Sequence, residues 1–333
     1  MNHQRVLISG LVISTILNIA FLAGCGGGAI QSLNDQPSSQ QPTGVTGAFT
    51  AISSMTTARA NHTATLLPNG EVLIAGGSDG SQPLASAELY EPASGMFTPT
   101  GSMTTAGVWM PATLLANGRV LFAGNNAQLY EPTTGTFALV GSYADTTSVS
   151  WDTATLLLDG RVLLTGCACP PDVGAAELFD LRTASFSITG PRHEFELSTA
   201  SLLTNGTVLV VTATFDVPPD DAELYDPTSG TFTYIGRTIG YHAFSAAVRL
   251  ADGTVLITGG QLPGGNGSSD SEFYLPATRT FASAGNMTTG RDSHTATLLA
   301  DGTVLIAGGI STWGSPPQMT SSAEIYNPAR SAP

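Results

Sequence analysis

One pattern of about fifteen residues returns six times along this chain, and that repetition limits its possible folds more than any other feature. The template runs Thr63-Ala64-Thr65-Leu66-Leu67-Pro68-Asn69-Gly70-Glu71-Val72-Leu73-Ile74-Ala75-Gly76-Gly77, and it recurs at 111–125, 153–167, 199–212, 246–260 and 295–309. Its turn glycines, Gly70, Gly118, Gly160, Gly206, Gly253 and Gly302, are spaced 48, 42, 46, 47 and 49 residues apart. A fixed period of this length marks an array of like units, none of which buries its apolar face alone. Within a unit, Thr-Ala-Thr-Leu-Leu and Val-Leu-Ile-Ala-Gly-Gly read as two strands. The Asn-Gly or Asp-Gly between them predicts a type I′ hairpin, with φ > 0 at both central residues. A second element, Ala87-Glu88-Leu89-Tyr90-Glu91-Pro92 and its variants, supplies a third strand. The Pro-x-x-Gly that follows is a turn signal, and a fourth strand starts near Phe97, Phe137 or Phe232. Four short strands per unit at this period predict a β-propeller.

The sixth unit ends at Asn327-Pro328, where its fourth strand is due, and Gly47-Ala48-Phe49-Thr50 offers the missing strand. The expectation is therefore an all-β, six-bladed propeller over residues 47–333, with its last blade closed by the amino-terminal strand. Closure of this kind leaves no unpaired edge at the seam. Composition agrees: 38 Gly and 20 Pro among 333 residues argue against helical bundles. All eleven basic residues are Arg and the net charge is −14, so there is no basic footprint for nucleic acid.

The double glycine after the second strand, intact at Gly76-Gly77, Gly259-Gly260 and Gly308-Gly309, and the third-strand aromatics (Tyr90, Tyr130, Phe179, Tyr225, Tyr274, Tyr326) resemble the kelch repeat. That family includes the kelch-like domain of galactose oxidase. It departs here in carrying Phe49, Phe97, Phe137, Phe186, Phe232 and Phe281 where a fourth-strand Trp is usual. The resemblance implies the fold and says little about activity, because one fold hosts many. No Cys stands in a context matching the copper site of galactose oxidase, so that chemistry is not carried over, and no cofactor is expected.

Residues 1–24 read as a lipoprotein signal peptide. Arg5 precedes an apolar run from Val6 to Leu22, which ends in Leu22-Ala23-Gly24-Cys25. This stretch resembles the bacterial lipobox, which implies cleavage before Cys25 and lipidation of its thiol. The Gly at position 26 leans, by the same resemblance, toward the outer membrane. Residues 25–46 then form the lipidated Cys and a Gly-, Ser-, Gln- and Pro-rich tether. A flexible chain of that length reaches roughly 25 Å.

In the kelch geometry the first strand of each unit is innermost, so the segments leading into it gather around the central channel. Residues there that break the repeat are the candidates for ligand binding: Arg59, His62, Trp109, Trp151, His242, Phe244, Arg291 and His294. Trp109, Trp151 and Phe244 fall at one equivalent position, and aromatics beside Arg and His suit a sugar. The other reading is that they plug the channel. His62, His242 and His294 lack local metal-ligand spacing, so no metal is expected. The repeated Glu88, Glu177, Glu223, Glu272 and Glu324, with Gln128, read as structural because they recur. Cys167 and Cys169 read as a loop staple or as free thiols.

The function expected is a non-catalytic binding or scaffold propeller of the cell envelope, engaging a glycan or an envelope protein and held to the membrane by its lipid. The alternative is a periplasmic carbohydrate enzyme such as a sialic acid mutarotase, with Arg59, His62, Glu194, His242 and His294 as its only acid–base candidates.

Overall fold

The computed structural model describes residues 47–122, 127–141, 149–168, 175–180, 182–183, 185–191, 198–213, 220–314 and 316–328. Among these there is no helix. They form six four-stranded antiparallel sheets, each ordered from an innermost strand outward. The first blade runs Thr63–Leu66, Val72–Ala75, Ala87–Glu91, Met96–Pro99. The innermost strands of the other five are Ala112–Leu114, Val149–Leu156, Ser198–Leu202, Ala246–Arg249 and Thr295–Leu298. Each innermost strand touches the next, and the sixth touches the first, so the sheets close into a ring. This is a six-bladed β-propeller. Its last blade takes Ala48–Ala51 as outer strand, paired with Ala323–Asn327 from Ala48↔Asn327 to Ala51↔Glu324.

The second strand of each blade explains its unbroken apolar run. Val72, Leu73, Ile74 and Ala75 are all fully buried. Val72 and Ile74 share one cluster with Leu305 and Ala307 of blade 6, while Leu73 and Ala75 join Val120 and Phe122 of blade 2. A strand covered on both faces has no solvent side and so no alternation. Farther out, third-strand Tyr and fourth-strand Phe stand opposite each other with ring centroids 4.7 to 5.3 Å apart in blades 1, 2, 4, 5 and 6. Such cross-strand aromatic pairs are worth about 0.5–1.5 kcal/mol beyond area burial.

The hairpin joining first and second strands differs from the expected type I′ turn. Gly70 N–H donates to Leu67 O at 3.0 Å, and Leu67 pairs with Glu71. Only the glycine has positive φ (+90°), and Asn69 does not. This is a three-residue loop, a type I turn followed by a left-handed glycine bulge. The cause is the Asx side chain. Asn69 Oδ1 accepts the Glu71 N–H at 3.1 Å, and the same bond forms at Asn117, Asp159, Asn205, Asp252 and Asp301. That capture favours the turn in which the Asx residue keeps negative φ.

Candidate ligand site at the channel mouth

In blades 1, 5 and 6 the lead-in loop crosses the top edge of the blade before dropping into the innermost strand, and the double glycine is what lets it lie so close. A Cβ on Gly77 would meet Ala60 O of its own blade at 2.5 Å, and one on Gly308 would meet Arg59 O of the next blade at 2.5 Å. Left-handed φ and these close approaches require Gly at both positions. The second glycine also ties neighbours together: Gly77, Gly260 and Gly309 donate N–H to Gly107, Arg291 and Arg59 of the following blade, at 2.8, 3.0 and 2.9 Å.

Arg59 and Arg291 are the cations that hold these loops. Both are fully buried. Arg59 Nη1 donates to Gly76 O (2.8 Å) and Ser86 O (3.0 Å), and Nη2 to Glu88 Oε1 (2.9 Å). Arg291 repeats this on Gly308 O, Ser322 O and Glu324 Oε1 at 2.9 to 3.0 Å. The carboxylates also take loop N–H groups, Thr56 and Thr57 on Glu88 and Thr288 on Glu324. In blade 5 the cation is His242, whose Nδ1 lies 2.8 Å from Gly259 O and Nε2 2.9 Å from Glu272 Oε1. Both ring nitrogens face acceptors, an arrangement that favours the doubly protonated ring. Burial pulls its pKa down, but the bond to Glu272 and that carboxylate's charge outweigh it and leave the pKa raised. In blade 2 Gly107 stands in the arginine's place and Gln128 in the glutamate's. Gln128 Oε1 accepts from Thr104 and Thr105 N–H at 2.7 and 3.3 Å.

Two residues along from the arginine position, the chain turns left-handed at Asn61, Trp109, Phe244 and Ser293, with φ between +54° and +58°. Left-handed φ is rare for bulky side chains. A belt of backbone bonds sustains it. Ser293 N–H donates to Phe244 O (2.8 Å), Asn61 to Ser293 O (3.0 Å) and Trp109 to Asn61 O (3.2 Å). The belt joins the same position on four successive blades and directs these side chains to the mouth of the channel.

There Trp109 and Phe244, on opposite blades, meet with ring centroids 5.5 Å apart. Trp313 joins them, 6.4 Å from Phe244. It sits beside the short extra hairpin Ile310–Thr312 and Gln318–Met319 of blade 6, and its Nε1–H donates to Asp292 Oδ2 at 2.7 Å. Asp292 is fully buried, and burial raises its pKa to about 6. Against the aromatic pair lies a cavity of about 250 Å³ on the ring axis, walled by all six innermost strands. Thr63, Thr153, Thr199 and Thr295 alternate there with Ala64, Ala154 and Ala296, so the wall is small and hydroxyl-bearing.

His62 and His294 belong to this wall. Each Nε2 shares a hydrogen bond with a threonine of the preceding blade, His62 with Thr295 (3.1 Å) and His294 with Thr258 (2.8 Å). Burial first, then the field of Arg59 and Arg291, lowers the His62 pKa to about 3, and His294 is held well below its ordinary value. Both are neutral at pH 7.

Of the residues proposed from sequence, the structure brings His62, Trp109, Phe244 and His294 to the cavity. Arg59, His242 and Arg291 are instead turned into the blades beneath it. Trp151 pairs with Gly166 on the innermost strand of blade 3, with a bulge between it and Thr153. Cys25, Cys169, His193 and Glu194 lie outside the described residues. Trp313 was missed. Its signal was the long second-to-third-strand connection of the sixth unit, which carries one of only three tryptophans. Among the described residues no cluster of His, Cys, Asp and Glu has the geometry to hold a metal. No protein-family model matches the chain, and no curated protein is a significant match to it.

Proposed function

We propose that this chain is a kelch-type propeller of the bacterial envelope that binds a glycan at its channel mouth without transforming it. The observation that carries this reading is the meeting of Trp109, Phe244 and Trp313 beside a threonine-walled cavity of about 250 Å³. Aromatic faces take the C–H faces of a sugar ring, and convergent hydroxyls take its edges. Ligand sites generally combine an apolar lining with a few placed polar groups. The lipobox-like Leu22-Ala23-Gly24-Cys25 supports a lipid anchor at Cys25, with the outer membrane as its place.

A sialic acid mutarotase would need an acid–base pair in the cavity. Arg59 and His242 are committed to buried glutamates, and His62 and His294 are neutral at pH 7 with each Nε2 already bonded to a threonine. These commitments favour binding over catalysis. The test is a glycan array probed with the folded protein, with W109A as control. Selective hits that W109A loses support the reading. A blank array, with an envelope protein captured reversibly and abolished by W109A, replaces the glycan by a protein partner.

A further inference from the structure

Resting on that glycan reading, we infer that the cavity takes one uncharged sugar, the terminal residue of a chain presented end-on. Charge excludes the acidic sugars. Among the described residues the cavity wall holds no Arg, Asp or Glu, and the chain has no Lys. The two ionisable groups of the wall, His62 and His294, are both neutral at pH 7. The guanidinium groups beneath the cavity are spent on Glu88 and Glu324. A carboxylate or phosphate entering here finds no counter-charge, and a chain of net charge −14 repels it on approach.

Shape selects the chain end. Residues of all six innermost strands line the cavity, so no groove runs outward between the blades for a glycan to lie along. Trp109 and Phe244 meet across the mouth and narrow it further. At about 30 Å³ for a water molecule, the roughly 250 Å³ cavity equals about eight waters, which is room for one sugar ring. Behind the cavity surface several polar atoms are unpaired. Asn61 Oδ1, Thr63 Oγ1, Ser245 Oγ and the Nδ1 atoms of His62 and His294 are buried with no protein partner, and all five residues line the cavity.

The experiment uses the full chain in detergent against matched glycan pairs, each a neutral-ended glycan and the same glycan capped with sialic or uronic acid. Linear and cyclic oligomers of one neutral hexose form a second pair, since the cyclic oligomer has no end. The inference expects the neutral-ended and linear members to bind at least tenfold more tightly than their partners, with affinity unchanged between low and physiological salt. W109A should lose at least tenfold. The milder T199V, which removes one hydroxyl at constant shape, should lose several-fold without a shift in melting temperature. Binding confined to acid-capped glycans, or equal binding of cyclic and linear oligomers, overturns the inference while leaving the glycan reading intact. No binding to any glycan by folded protein overturns both.

Discussion

Blade 6 and blade 2 fasten the same loop in two different ways. In blade 6 the buried Arg291 and Glu324 meet at 3.0 Å, and the carboxylate also takes the Thr288 N–H. In blade 2 the cation has become Gly107 and the anion Gln128, yet the amide oxygen still takes two loop N–H groups. What recurs from blade to blade is the satisfaction of the loop's backbone donors. At this fastening, in blades 1, 5 and 6, charge enters as a matched pair, because a buried ion without its partner costs more than the pair returns. Blade 5 is intermediate: His242 supplies the cation, and protonation decides whether it is there.

The largest expected effects come from unbalancing the two ends of that comparison. E324A strands the Arg291 guanidinium, and Q128E places a carboxylate where no cation waits. Each should cost roughly 3 to 5 kcal/mol, read from the unfolding midpoint in urea. R291M combined with E324Q should recover most of the E324A loss; failure to recover would mean that the pair does more than balance itself.

Next is the proton dependence of blade 5. The folded pKa of His242 is raised above its ordinary value of 6.5. Its contribution is therefore complete below about pH 6.5 and is lost as the pH climbs through the folded value. A hydrogen bond to a charged group is worth roughly 1.5 to 3 kcal/mol. H242R should leave the melting temperature flat over that alkaline range where the parent falls. His62 acts with the opposite sign, being lowered from 6.5 to about 3. Its share is present above pH 6.5 and drains away as the pH falls toward 3, so H62Q should flatten the acid limb. Asp292, raised from 3.8 to about 6, opposes it by losing stability as the pH rises through that range.

The smallest effect tests a turn. Gly95, Gly135 and Gly230 close the third turn of their blades with positive φ, while blade 5 uses Arg279 at +56°. R279G should gain about 0.5 to 1 kcal/mol, seen as a small rise in melting temperature.

The ring, its six blades and its closing strand were legible in the sequence because each rests on periodicity, and periodicity survives without coordinates. The turn type was not. Asn-Gly is compatible with two hairpins, and the side-chain bond from Asn69 to the Glu71 N–H selects between them. The mouth was half legible. Breaks in the repeat located Trp109, Phe244 and the histidines, but nothing in the spacing says that Arg59 points into its blade while His62 faces the channel. His242 looked like a third member of a histidine group. Its register, four residues before the innermost strand rather than one, makes it the counterpart of Arg59. Trp313 escaped because it belongs to an insertion in one unit, where there is no repeat to compare.

The seam of the ring has a mechanical side. Ala48–Ala51 is held to blade 6 by four residue pairs and by the tilted contact of Phe49 with Tyr326, ring centroids 4.7 Å apart. Any load drawn through the polypeptide from the amino-terminal side reaches the propeller first at this strand. Peeling it away would uncover the edge of Ala323–Asn327 and undo the strand exchange at the seam, with the innermost strands of blades 6 and 1 still in contact. A pull from that side thus acts first on the seam strand, and strengthening its four pairs would resist it without altering the channel.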